Sequence, residues 1–156
     1  MSSQVSKKRG VELDAWIHFL RAHAAVTRQF NHELLETHGL TLNDFDVLAQ
    51  LSRGPEHGLK RAELAERVLL TPSGITRLLD GLERVGYVER GECATDARVT
   101  YAVLTGEGRE KLRAASKTHL AGVRALFSER FTKGELGQLA ELLERLPLSA
   151  EPDCAA

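Results

Sequence analysis

Apolar positions along the chain fall into helical stripes that turn residues interrupt. Between Val11 and His38, Leu13, Trp16, Ile17, Leu20 and Ala24 form one stripe and Phe19, Val26, Phe30 and Leu34 a second. This is the recurrence of an amphipathic helix. A helix apolar on two sides is buried on two sides, in a core or against a partner chain. Gly39 suits the left-handed position that ends such a helix. Thr41 and Asp44 have capping-box spacing and open a second helix carrying Phe45, Val47, Leu48, Ala49 and Leu51. Gly54-Pro55 and Gly58 then break the chain.

From Leu59 to Val68, the apolar residues Leu59, Ala62, Leu64, Ala65 and Val68 read as a short helix. Thr71-Pro72 starts another, with threonine as N-cap and proline where its missing N–H costs nothing. It runs to about Val85, with Ile75, Leu78, Leu79 and Leu82 on one face and Gly86 closing it. Strand character follows at 87–90 and 99–104, around a polar loop from Gly91 to Arg98. A hairpin this small must lean on the central helices. Thr105 caps a long helix from Gly106 to about Glu129, and Thr132 with Glu135 opens a last one reaching Leu146, where Pro147 ends it. Residues 1–10 are expected to be a disordered arm and 147–156 a flexible tail. The long first and last helices are expected to pack together, and with a second copy, as a helical dimerisation lobe.

Composition supports a mainly α protein: of 156 residues only 5% are aromatic and four are proline. No apolar run approaches the ~20 residues that span a membrane. The segment from Met1 to Arg9 is polar and basic, unlike a secretory signal, so a cytoplasmic location is the default. The two cysteines, Cys93 and Cys154, make neither a disulfide framework nor a CxxC metal motif. Cys93 falls in the polar loop, where it is either a solvent-facing thiol without a role or an oxidisable one. No nucleophile–base pairing, Gly-rich phosphate loop or metal-ligand spacing is present, so no enzyme and no cofactor are expected. His18, His23, His32 and His38 lack i, i+4 spacing, and no zinc site is read from them or from His119.

Two short helices before a hairpin suggest a winged helix-turn-helix over residues 59–105. Ser73, Thr76 and Arg77 lie opposite the apolar stripe near the start of the second helix, where a recognition helix presents side chains to DNA. Gly74 allows close approach of the backbone. Charge is the difficulty, because the chain's formal net charge is −1. Between residues 60 and 98, seven basic residues (60, 61, 67, 77, 84, 90, 98) meet seven acidic ones (63, 66, 80, 83, 89, 92, 96). Affinity for DNA must therefore come from placement rather than bulk charge, with a modest salt dependence.

Three elements in order carry a family resemblance: E-L-A-E-R-V at 63–68, T-P-S-G-I-T-R-L-L-D-G-L-E-R-V-G-Y-V-E-R at 71–90, and T-D-A-R-V-T-Y-A-V-L-T-G-E-G at 95–108. They resemble the MarR family of bacterial transcription regulators, and the flanking helices extend the likeness over about residues 11–146. The resemblance implies one winged-helix domain, with 11–38 and 106–146 as dimerisation helices. It also implies a homodimer on a pseudo-palindromic, double-stranded DNA operator, with the recognition helix in the major groove and the wing in the minor groove. Arg98 would be the wing-tip arginine, suited to a narrow electronegative groove, with Asp96 holding it in place. Lys60, Arg61 and Arg90 complete the expected DNA-contacting set. Many members bind a small phenolic, urate-like or carboxylate effector between the two lobes. Trp16, His18, His23 and Asp46 are the candidate effector residues, Trp16, Asp46, Arg77 and Arg90 being similar to a urate-responsive subgroup. A winged-helix protein–protein adaptor and a thiol-based redox sensor acting through Cys93 remain the alternatives.

Overall fold

The computed structural model describes residues 10–68 and 70–146; the expected N-terminal arm, Gly10 apart, and the expected tail lie outside that range. Helix α1 (Val11–His38) ends at Gly39, whose φ of 67° is the left-handed turn expected of it. Helix α2 (Leu42–Arg53) begins with the Thr41 capping box: Thr41 Oγ1 accepts from the Asp44 N–H at 3.0 Å, and Asp44 accepts from the Thr41 N–H at 2.8 Å. The N–H of Leu42 donates to Asn31 Oδ1 at 2.9 Å, fastening the start of α2 to the side of α1.

The next segment departs from the sequence reading. Leu59 does not start a helix; Leu59–Lys60 is a strand, β1, and α3 covers only Arg61–Arg67. Leu59 is buried and pairs with Ala102, and Lys60 pairs with Tyr101. The helix starts after Lys60 because the Glu63 carboxylate accepts the Lys60 N–H at 2.8 Å. Helix α4 (Pro72–Arg84) follows, then strands β2 (Val88–Glu92) and β3 (Thr100–Leu104), helix α5 (Gly106–Ser128) and helix α6 (Lys133–Leu143). The hairpin is thus part of a three-stranded antiparallel sheet in the order β1-β3-β2. Its inner strand is β3, whose other edge holds the residue pair that introduces α3. Helix α6 stops at Leu143, short of the expected Leu146.

The core sits where the C-terminal half of α1, the middle of α2, the helix pair α3–α4, the sheet and the first half of α5 meet. Leu34, Val47, Leu48, Leu64, Ile75 and Leu79 are its most buried large side chains. Outside it, the N-terminal half of α1, the end of α5 and all of α6 hold no fully buried residue. Large apolar side chains stand exposed there, among them Trp16 at 55% and Leu142 at 53%. Both stripes of α1 exist as read, but in one chain only Phe30 and Leu34 are buried. Among the described residues no helix is long and apolar enough to cross a membrane.

Candidate nucleic-acid interface

Helix α4 is aimed by its own N-terminus and its apolar stripe. Thr71 Oγ1 accepts the Gly74 N–H at 3.2 Å, a side-chain cap that fixes the first turn. Ile75, Leu79 and Leu82 are driven into the core. At 3.6 residues per turn, the opposite face carries Ser73, Arg77 and Arg84, and all three are exposed. Thr76, Asp80 and Glu83 run along one flank between the two faces.

That flank is occupied by two arginines from neighbouring elements. Arg90, on β2, donates from Nε to both oxygens of Glu83 at 3.0 Å and brings Nη2 to 3.6 Å from Asp80. Its Glu83 partner raises the guanidinium further above its ordinary value. Arg61, at the start of α3, lies 4.0 Å from the same Asp80 oxygen and donates to Thr76 Oγ1 at 3.4 Å. Arg77 and Arg98, by contrast, have no ion-pair partner among the described residues. The expected DNA-contacting set therefore divides in two. Arg77 offers its charge to solvent with Ser73 and the capped Gly74 beside it, whereas Arg61 and Arg90 are engaged with acids. The side chain of Thr76 is already bonded, and Lys60 is exposed.

The wing tip is an exposed turn. Asp96 Oδ1 accepts the backbone N–H of Arg98 at 3.0 Å, and the Asp96 carbonyl accepts from Val99 at 3.1 Å. Asp96 thus meets Arg98 through the main chain: a carboxylate two residues ahead reaches an N–H more readily than a guanidinium. The charged end of Arg98 has no ion-pair partner among the described residues. In the same loop the Cys93 thiol lies 3.2 Å from Thr95 Oγ1. That hydrogen bond, with the nearby backbone of Thr95 and Asp96, lowers its pKa to about 7.

The sequence pattern of the MarR family matches residues 38–99, which span α2, the helix pair and most of the wing. The HTH-type transcriptional repressor YetL of Bacillus subtilis is 32% identical over 128 residues, 78% of this chain and 76% of that protein. An uncharacterized HTH-type transcriptional regulator of Bacillus cereus is 31% identical over 136 residues, 87% of this chain and 88% of its own length. The chain belongs to the MarR family. Among solved structures, Sco3205, a MarR family regulator from Streptomyces coelicolor in complex with DNA, superposes with a TM-score of 0.78 at 28% identity, covering 85% of this chain and 83% of that one. AbsC from the same organism gives 0.77 at 29% identity, over 87% and 91% of the two chains. The relatives are transcription regulators, not enzymes, and the fold is the family's winged helix-turn-helix.

In this MarR-family chain the Leu104-Thr105-x-x-Gly108 motif has a physical role. Thr105 Oγ1 accepts the Gly108 N–H at 3.0 Å and donates to the Gly86 carbonyl at 2.7 Å, while the Thr105 N–H donates to the Tyr87 carbonyl at 3.1 Å. One residue thus joins the end of the recognition helix, the root of the wing and the start of α5. The candidate effector residues are dispersed. His18 and His23 line an apolar cleft of about 520 Å³ with Phe19, Val26, Phe127 and Leu139, bounded by α1, α5 and α6. Trp16 stacks on Phe19 with ring centroids 6.3 Å apart but is not part of that lining. Asp46 stands apart on α2, where burial raises its pKa against a Gln50 hydrogen bond and the Arg53 charge. A second cleft, of about 400 Å³, lies between α1 and the DNA lobe and is lined by Asn31, Asn43, Asp44 and Arg77.

Two features went unread in the sequence. One is the carboxylate pair Asp80 and Glu83; its signal is the i, i+3 spacing on the polar side of α4, opposite two arginines distant in sequence. The other is the setting of His119, weighed in the sequence only as a metal ligand: its ring centroid lies 5.1 and 4.9 Å from those of Phe30 and Phe45, and its Nδ1 is buried with no hydrogen-bond partner among the described residues. Burial pushes its pKa down.

Proposed function

We propose that this chain is a transcriptional repressor that binds a pseudo-palindromic operator as a homodimer and is released by a small aromatic or carboxylic effector. The observation that carries the DNA reading is the sorting of charge: with Arg61 and Arg90 paired, Arg77 and Arg84 on the exposed face of α4 and Arg98 at the wing tip have no ion-pair partner among the described residues, and of the two on α4 it is Arg77 that lies toward the N-terminal end. Arg77, with Ser73 and Thr76, reads the major groove, and Arg98 enters the minor groove. The DNA complex of Sco3205 and the repressor name of YetL support this. Dimerisation is supported by the exposed apolar side chains of α1, α5 and α6, most of them about half exposed, each of which would gain on the order of 1 kcal/mol on full burial. The effector reading is supported by the cleft bordered by Arg77, a cation on the recognition helix itself, whose volume falls within the range of small-molecule sites.

The test is a mobility-shift titration on a duplex selected by the protein from a random-sequence pool. Arg77→Ala and Arg98→Ala should each weaken binding by about 1–3 kcal/mol. The complex should sediment as two chains per duplex, and the salt slope should imply no more than about eight phosphate contacts. Failure to select a consensus, or affinity unchanged in both variants, would favour a protein–protein adaptor.

A further inference from the structure

Carboxylates on a helix that meets a polyanion are a liability, yet α4 carries Asp80 and Glu83 along one flank. The structure shows what they are engaged with. Arg61 comes from the first residue of α3 and Arg90 from the middle of β2, and with the two acids they form a row of alternating charge, Arg61–Asp80–Arg90–Glu83. The row crosses three elements that converge on the DNA face. At its centre, Arg90 presents Nε to both Glu83 oxygens and Nη2 to Asp80, so two sides of its planar fork are fixed against α4. On their inner side α4 and β2 are already joined by the turn at Gly86, where the Tyr87 N–H donates to the Leu82 carbonyl at 3.0 Å, and by the buried Leu82 and Val88. Arg90 adds a second hold on the outer flank of α4, away from that buried seam, and two holds on opposite sides of a helix oppose its rolling against the wing.

We infer that Asp80 and Glu83 are positioning residues for DNA binding: through Arg61 and Arg90 they lock α4 and the wing root at one relative angle, so that Arg77 and Arg98 engage their two grooves together. The inference rests on the DNA-binding reading above and adds to it a role for acids that never touch DNA. The fold needs the row little, because partly exposed ion pairs add little stability. Docking needs it more, since a binding constellation tolerates errors of only about 0.5 Å or 10–20°.

Two substitutions separate positioning from plain electrostatics by the sign of their effect. Removing a carboxylate beside a polyanion relieves repulsion and should tighten binding; Glu83→Gln is expected instead to weaken it about threefold or more on the selected duplex, and Asp80→Asn likewise. Arg90→Lys keeps the charge but loses the fork, and should lose as much affinity as Arg90→Ala. If Arg90 were a phosphate contact, lysine would substitute for it and Arg90→Ala would lower the salt slope by about one per chain. Melting temperatures should stay within about 2 °C of the unmodified protein, and Glu83→Gln combined with Arg90→Lys should cost no more than either alone. Tighter or unchanged binding by Glu83→Gln, or full binding by Arg90→Lys, overturns the inference while a loss in Arg98→Ala leaves the DNA reading standing. If Arg77→Ala and Arg98→Ala also bind normally, both fall together.

Discussion

Gly108 offers a perturbation in which helix propensity and packing pull in opposite directions. In an exposed helical turn, replacing glycine by alanine stabilises by up to about 1 kcal/mol. At Gly108 a Cβ would press into the Tyr87 carbonyl oxygen, lie 2.9 Å from its carbon and 2.8 Å from Leu104 Cδ1. Leu104 can rotate away, but Tyr87 cannot. Its N–H is tied to the Leu82 carbonyl at 3.0 Å and its oxygen to the Thr105 N–H at 3.1 Å. The first turn of α5 must lift instead, straining the Thr105 bonds. Overpacking costs about 1–3 kcal/mol, and a lost backbone bond about 0.5–1.5 kcal/mol. Set against the propensity gain, Gly108→Ala should destabilise by about 1–3 kcal/mol, or roughly 2–12 °C in melting temperature. Gly106→Ala, two residues earlier with nothing within 4 Å of its added carbon, is the control and should melt at or slightly above the parent. The assay is thermal unfolding followed by circular dichroism. Equal melting of the two variants would refute the close-approach account of the motif.

Further outcomes follow from two titrating groups. Burial keeps His119 neutral below the ordinary imidazole value of 6.5, so on acidification the unfolded chain takes up this proton first. Its contribution to stability is intact above that value and is lost as pH falls toward the lowered one. His119→Phe should flatten the pH dependence of melting over that window, and an unchanged profile would refute the assignment. Cys93, at about 7 rather than 9.0, should be alkylated by iodoacetamide with a rate that rises through a midpoint near pH 7. Thr95→Val should move that midpoint upward, and a midpoint above about 8 in the parent would count against the Thr95 hydrogen bond. If Cys93→Ser leaves peroxide-dependent release from DNA unchanged, or no release occurs, the thiol-sensor alternative fails as well.

Elements announced by local chemistry were legible in the sequence. Thr71-Pro72, Thr105 and the Thr132–Glu135 box each satisfy helix N–H groups from within four residues, and each starts a helix where expected. What was hidden depends on partners far along the chain. Strand β1 is two residues long, too short to show alternation, and exists only because Ala102 and Tyr101 lie alongside it. The pairing of Arg61 and Arg90 with α4 acids is invisible to a charge count, which gives zero whether the charges are paired or separate. The sequence reading paired Asp96 with Arg98 without saying by which atoms; the contact is from the carboxylate to the Arg98 backbone N–H, as its short reach favours. Trp16 and Asp46, assigned by family likeness rather than by local chemistry, sit on separate helices, neither lining the His18–His23 cleft.

Helix α1 has a mechanical consequence. Its 28 residues make a rod about 42 Å long. One end is clamped in the core through Phe30 and Leu34, and the other projects its apolar side chains outward. No linker separates the two ends, so a tilt imposed on the outer half is passed along one continuous helix toward the core; a tilt of about 5° shifts one end of a straight rod of that length against the other by roughly 3–4 Å. In the proposed dimer, residues such as Leu13 and Trp16 therefore act as calipers. Substitutions among them would change which operator spacing the protein accepts while leaving every residue that faces DNA as it was.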